Sequence, residues 1–352
     1  MAIPVVLREL LEAAGPSGYE TAPAHVWRKA AEAAGLEVAG DVVGSCTARI
    51  AGNAGGPRLA VVGHIDEIGL IVHHIDDDGF LWFKPVGGWD AQILVGQRVT
   101  LLTREGPLVG VIGKKPIHLL RDDEGKKVPE IRDLHIDIAA KDGDDARTRV
   151  RAGDVAVIAA PPVELPNDRL CSRALDNRLG AYVALEAARL VAQDGGAPGD
   201  VVAVAATQEE ITFAGSRTSA YAIEPAVALA VDVTHATDAP GIEVKESGRH
   251  PLGSGPALNR GSIIHPAVFE LLHATAEEES IAFTVEVSSR GTGTDADAIH
   301  LTRAGIPTGV VSVPLRYMHS PVEMVQLDDV TACARLIAAF ARRLTAETSF
   351  AR

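Results

Sequence analysis

Small and apolar side chains recur at helical spacing from Ala22 to Ala34, and Gly35 follows where a helix could stop. The next apolar run, Leu59 to Val62 in "RLAVVGHIDEIGL", is too short for a helix and is bounded by Gly63, which predicts a buried strand. From about Leu70 to Ala160 the texture changes to short β-like runs cut by Gly, Pro and Asp, among them "QRVTLLT", "PLVGVIG", "DLHIDIAA" and "GDVAVIAA". Regular short strands of this kind predict a compact β barrel or sandwich, whose end is marked by "APPVELP". Within it "HIDDDG", His74 to Gly79, lacks the spacing and terminal Glu of a calcium loop and predicts a polar hairpin turn.

Beyond this segment helices and buried strands alternate. The pattern predicts a helix from about Asn177 to Gln193, a strand Val201 to Ala206, a short helix near Ser216 to Ala222 and a strand Val227 to Val231. It continues with a helix Pro266 to Glu279, a strand Thr308 to Val313 and a last helix with Val330, Cys333, Leu336, Ile337, Phe340 and Leu344 on one face. Continuous apolar strands alternating with helices indicate an α/β sheet covered on both faces. The β-rich segment is then an insertion, which divides the chain into 1–68 plus 162–352 and an inserted unit over 69–161.

Composition narrows the picture. A chain of 352 residues exceeds one ordinary core, and 47% hydrophobic but only 4% aromatic content suits an Ala/Val/Ile/Leu interior. The formal net charge of −14 argues against a nucleic-acid partner, because phosphate binding relies on clustered Lys and Arg. Cys46, Cys171 and Cys333 are odd in number and lack CxxC spacing, which disfavours a disulfide framework or a thiolate zinc site and fits a reducing cytoplasm. The amphipathic start "MAIPVVLRELLEAAGPSGYE" has no basic leader, and no apolar run approaches the ~18 residues of a membrane span.

The chemistry gathers where the strands end. Ligands of open α/β sheets bind outside the carboxyl ends of the strands. His64 and Asp66 follow the Leu59 run, Glu209 and Glu210 follow Val201–Ala206, Asp232 follows Val227–Val231, and His319 follows Thr308–Val313. Asp176 stands just before the Asn177 helix. Two imidazoles and several carboxylates form the ligand set of zinc, cobalt or manganese, and so many acids beside apolar strands call for cations. On an extended chain Glu209 and Glu210 point to opposite sides, so one can coordinate a metal while the other handles a proton.

These residues sit in segments that resemble the tetrahedral aminopeptidases, a metallopeptidase family that includes glutamyl aminopeptidase. The segments are "GPSGYE", "GHIDEIGLIV", "DLHIDIAA", "LDNRLG", "QEE", "DVTHATDAPG" and "GTDADAIHLTRAGIPTGVVSVPLRYMHSPVEM". The resemblance implies a three-layer, phosphorylase-like α/β/α catalytic domain, an inserted β barrel and two divalent ions per subunit. It implies one ion held by His64 and Asp232, the other by Glu210 and His319, with Asp176 bridging. Glu209 is then the general base, and Asp66 orients His64. It also implies peptide substrates and a homo-oligomer of twelve subunits built from dimers.

The chain departs from the family at "ITFAGSRTSAYAI" and at His235, both away from the expected ligands and both bearing on specificity. Two other readings stay open from sequence: a glycoside hydrolase using the paired acids, and a metal-binding scaffold. "SSRGTGTDADA" has no following GK[ST] and predicts a flexible pocket loop. His73, His118, His135, His250, His265 and His300 read as surface or packing residues.

Overall fold

The computed structural model describes residues 2–121 and 127–351. Its centre is an eleven-stranded sheet in which four strands run parallel in the order Val201–Ala206, Leu59–His64, Val227–His235 and Thr308–Arg316. Their side chains are apolar on both sides because both faces are covered. Leu59 and Val61 belong to a core shared with the helices Leu175–Gln193 and Leu327–Arg342, whereas Ala60 and Val62 face Ala220 of the helix Ala214–Ile223 and Ile299. This alternation produces three layers, α/β/α.

Register brings the chemistry to one level. Ala206 pairs with His64, Ala230 pairs with Val62 and Asp232 pairs with Ser312, so neighbouring strands deliver their last residues to the same edge. The strands run further than the apolar pattern alone indicated, and His64 and Asp232 lie within them. Sequence reading did not resolve the antiparallel additions Glu37–Gly40 and Cys46–Ile50, or Glu323–Gln326, Arg169–Ser172 and Val163–Leu165 on the other side. These are three to five residues long and polar in part, so no continuous run marks them. "APPVELP" is accordingly more than a boundary, since Val163–Leu165 within it forms an edge of the main sheet.

The segment from Gly69 to Ile158 closes into a six-stranded barrel rather than a sandwich. Leu70, Leu81, Phe83, Leu101, Ile112 and Ile136 fill its interior. The hairpin turn is as its polarity requires: the Asp76 carboxylate accepts the backbone N–H groups of Asp78 and Phe80 at 3.1 and 2.9 Å. No helix among the described residues is long and apolar enough to cross a membrane.

One close approach sets the geometry beneath the site. A Cβ on Gly63 would stand 2.1 Å from the backbone carbon of Gly180, and one on Gly180 would stand 2.4 Å from the Val231 carbonyl oxygen. Bare backbone therefore lets the helix carrying Asp176 lie directly on the strands carrying His64 and Asp232. Backbone cannot swing aside as a flexible side chain can, so Gly63→Ala is expected to exceed the ~1–3 kcal/mol typical of overpacking. A thermal unfolding scan against the wild type checks this, with a midpoint several degrees lower as the expected result.

Candidate active site

The folded chain brings all the proposed strand-end residues together. His64 Nε2 lies 3.3 Å from Asp176 Oδ1, 3.7 Å from Glu209 Oε2 and 4.0 Å from Asp232 Oδ1. His319 Nε2 lies 3.3 Å from the other Asp176 oxygen and 3.5 Å from Glu210 Oε1. Asp176 thus presents one oxygen to each imidazole. His64, Asp176, Glu209 and Asp232 are buried, and His319 is half-buried.

Asp66 organises the group from behind. Its carboxylate approaches His64 Nδ1 at 3.4 Å and accepts the backbone N–H groups of Glu209 and Glu210 at 3.1 and 3.2 Å. Burial pushes the Asp66 carboxyl up, but His64 and the Glu209 amide outweigh it and hold it below the usual range. The acid pair does not diverge as an extended strand would, contrary to the expectation from sequence. Val201–Ala206 ends first, Gln208 turns the chain at φ 58°, and Glu209 and Glu210 open a short helix, Glu209–Thr212. A helix rotates consecutive side chains by about 100°, which still separates the two carboxylates.

Crowding shifts these groups strongly. Burial, then Asp232, Asp295 and Glu210, push Glu209 up to about 10 against the opposing pull of His64. Burial likewise raises Asp232 and Glu210. Burial disfavours charge on His64, yet Glu209, Asp176 and Asp66 raise it well above an ordinary imidazole. Hydrogen bonding to Asp176 and Glu210 pushes His319 up to about 11. Acids and imidazoles so placed hold protons between them unless a cation takes that role.

The donor set fits divalent ions. Two ligands of a tetrahedral ion, each ~2.1 Å away, stand roughly 3.4 Å apart, close to the 3.3 and 3.5 Å separations across His64, Asp176, His319 and Glu210. His64 with Asp176 and Glu210, and His64 with Glu209 and Asp232, each offer atoms within 4.8 Å of one another. His319 Nδ1 lies 3.0 Å from the Gly88 carbonyl oxygen, which can only accept, so Nε2 turns its lone pair toward the acids once the ring is neutral.

Sequence reasoning missed several supports. Buried Glu323 accepts the backbone N–H of Asp176 at 3.0 Å and that of His319 at 2.9 Å, tying two of the convergent residues to one carboxylate. It stands four residues after His319 in "HSPVEM", a signal that was present but unweighted. Arg178, fully buried, donates to the carbonyls of Leu10, Ala13 and Gly15 and to Glu67, fixing the turn that bears Asp176. The "GTGTDADA" loop does line the cavity through Thr292 to Thr294, but it is not loose, because Asp297 accepts from the backbone of Thr292 and Gly293. Asp295 in it lies beside the centre, and burial pushes it up to about 6.

An α/β/α sheet whose carboxyl edge carries this imidazole and carboxylate cluster in a cleft defines a metal-dependent hydrolase. Comparison with known proteins makes the class specific. The model of the M42 glutamyl aminopeptidase family matches residues 44–336. A lysyl aminopeptidase of Pyrococcus furiosus is 34% identical over 349 residues, covering 96% of each chain. The crystal structure of a TET aminopeptidase from a marine-sediment archaeon of the Thaumarchaeota superposes with a TM-score of 0.93 at 37% identity, covering 97% of this chain and 96% of its own. The TET1 peptidase of Pyrococcus horikoshii, described as assembling into a tetrahedron or a large octahedral shell, gives 0.85 at 30% identity over 96% and 99%. The chain belongs to the M42 glutamyl aminopeptidase family.

Proposed function

We propose that the chain is a two-metal aminopeptidase that removes N-terminal residues from peptides. The observation that carries the reading is the placement of one Asp176 oxygen 3.3 Å from each of two imidazole Nε2 atoms. His64 and Asp232 would hold one ion, Glu210 and His319 the other, and Asp176 would bridge. When bound, zinc or cobalt, with manganese a further candidate, would lower the pKa of a water and polarise the scissile carbonyl.

The residues of the chain do the rest. Glu209 takes the proton of the attacking water as its oxygen bonds to the carbonyl carbon, and returns it to the amine nitrogen as the carbon–nitrogen bond breaks. Asp66 holds the Glu209 and Glu210 amides and faces His64, so the base and a ligand stay in register. Residues 1–68 with 162–352 form the catalytic domain, and 69–161 a barrel domain serving oligomerisation and substrate access. Assembly into a dodecamer built from dimers is supported by the dodecamer and the shells described for structural relatives. A cytoplasmic setting is supported by three free cysteines, two of them buried.

A glycoside hydrolase would need two carboxyls about 5–9.5 Å apart with a sugar bond between them, whereas these acids crowd around imidazoles. A scaffold reading would be favoured by a missing ligand or a missing base, and the chain carries a candidate for each, with Glu209 3.7 Å from His64. Aminoacyl-nitroanilides, assayed with zinc, cobalt or manganese, test the proposal. Turnover that a chelator abolishes and one of these ions restores is the expected result; turnover indifferent to chelation overturns it.

A further inference from the structure

We propose that Glu286 selects substrates whose N-terminal residue is basic, Lys or Arg, by pairing with the side-chain cation at the wall of the cavity away from the proton-transfer residues. The inference rests on the aminopeptidase reading and adds to it the side-chain class.

Glu286 lies on Thr284–Ser288, an edge strand in which residues 284, 286 and 288 are half-buried while Val285 and Val287 are exposed. Alternation therefore turns Glu286 inward, and it lines the same cavity of about 320 Å³ as His64, Glu209 and Asp232. Its position relative to the centre is set by one strand. Asp232 and Thr234 are two residues apart on Val227–His235, hence on one face and about 6.6–6.8 Å apart. The Thr234 hydroxyl donates to Glu286 Oε1 at 2.6 Å. That bond fixes the carboxylate in one orientation and leaves Oε2 for a ligand.

The charge balance favours a cation there. The acids around His64 and His319 would be compensated by bound ions in the working enzyme, whereas Glu286 would not be. Among the described residues no Lys or Arg lines the cavity. Thr234, Asn259 and Ser312 are neutral polar neighbours, and Val310 and Met318 supply apolar surface along which a side-chain stem can lie. A lysyl side chain carries its ammonium on a four-carbon stem and an arginyl side chain its guanidinium slightly farther out, lengths comparable to the ~6.6–6.8 Å between Asp232 and Thr234, the partner of Glu286. A glutamyl terminus would set two carboxylates against each other.

The test compares kcat/KM for Lys-, Arg-, Leu- and Glu-nitroanilides on the metal-loaded wild type, Glu286→Gln and Glu286→Lys. Expected are a wild-type preference for Lys and Arg, a Lys-to-Leu ratio that falls about 10- to 100-fold in Glu286→Gln, and a turn toward the Glu substrate in Glu286→Lys. Ratios within one enzyme are unaffected by partial loss of folded protein. A wild-type preference for Leu or Glu, an unmoved Lys-to-Leu ratio, or a parallel loss on all four substrates overturns the inference, the last because Glu286 would then hold the α-amine common to them all. In those cases turnover on some substrate leaves the aminopeptidase reading standing; no turnover on any of the four removes both.

Discussion

Glu209→Gln is expected to bind its metal ions as the wild type does and to lose turnover by about 10²–10⁴-fold, the range supplied by a positioned proton-transfer group. The substitution keeps the shape of a buried side chain whose neighbours, Asp66 through the backbone and His64 at 3.7 Å, fix its place. It removes only the capacity to accept and return a proton. Metal analysis of the purified variant beside its steady-state kinetics checks both halves. Equal loss of metal and activity would make Glu209 a ligand, and retained activity would move the base elsewhere.

Asp176→Asn should act on both halves of the centre at once. Each carboxylate oxygen faces a different imidazole, so the amide loses a negative charge shared by two sites and turns an –NH₂ toward one of them. Loss of an outer partner of a metal site costs about 10–100-fold in affinity, and a residue common to both sites should cost more. The expected outcome is a fall in bound metal at both positions and activity near background, read by metal analysis after dialysis. Loss confined to one ion would show that Asp176 belongs to one site alone. Because Glu323 holds the Asp176 backbone N–H, the turn itself should survive.

How much of this was legible in the sequence follows from what each feature depends on. The parallel strands were readable because burial on two faces demands an unbroken apolar run, and the convergent residues because such strands end at one edge. The antiparallel additions were not, since Glu37–Gly40 alternates little and is mostly exposed. The turn before Glu209 was misread as extended chain because Gln208 adopts a positive φ that no Gly announces. The roles of Glu323 and Arg178 were not legible for another reason, although Glu323 stands close to His319 in the chain. Both side chains act on backbone groups far away in sequence, Arg178 on Leu10 to Gly15 and Glu323 on Asp176, and periodicity carries no information about such pairings.

The Gly88 carbonyl that receives His319 Nδ1 comes from the barrel, between its second strand and the short helix Ala91–Leu94. The inserted module is consequently no detachable appendage: it supplies an atom that selects the tautomer of an imidazole on the parent body. A chimaera fitted with a foreign barrel inherits that obligation, and its catalytic competence will track how faithfully the graft restores a single peptide oxygen.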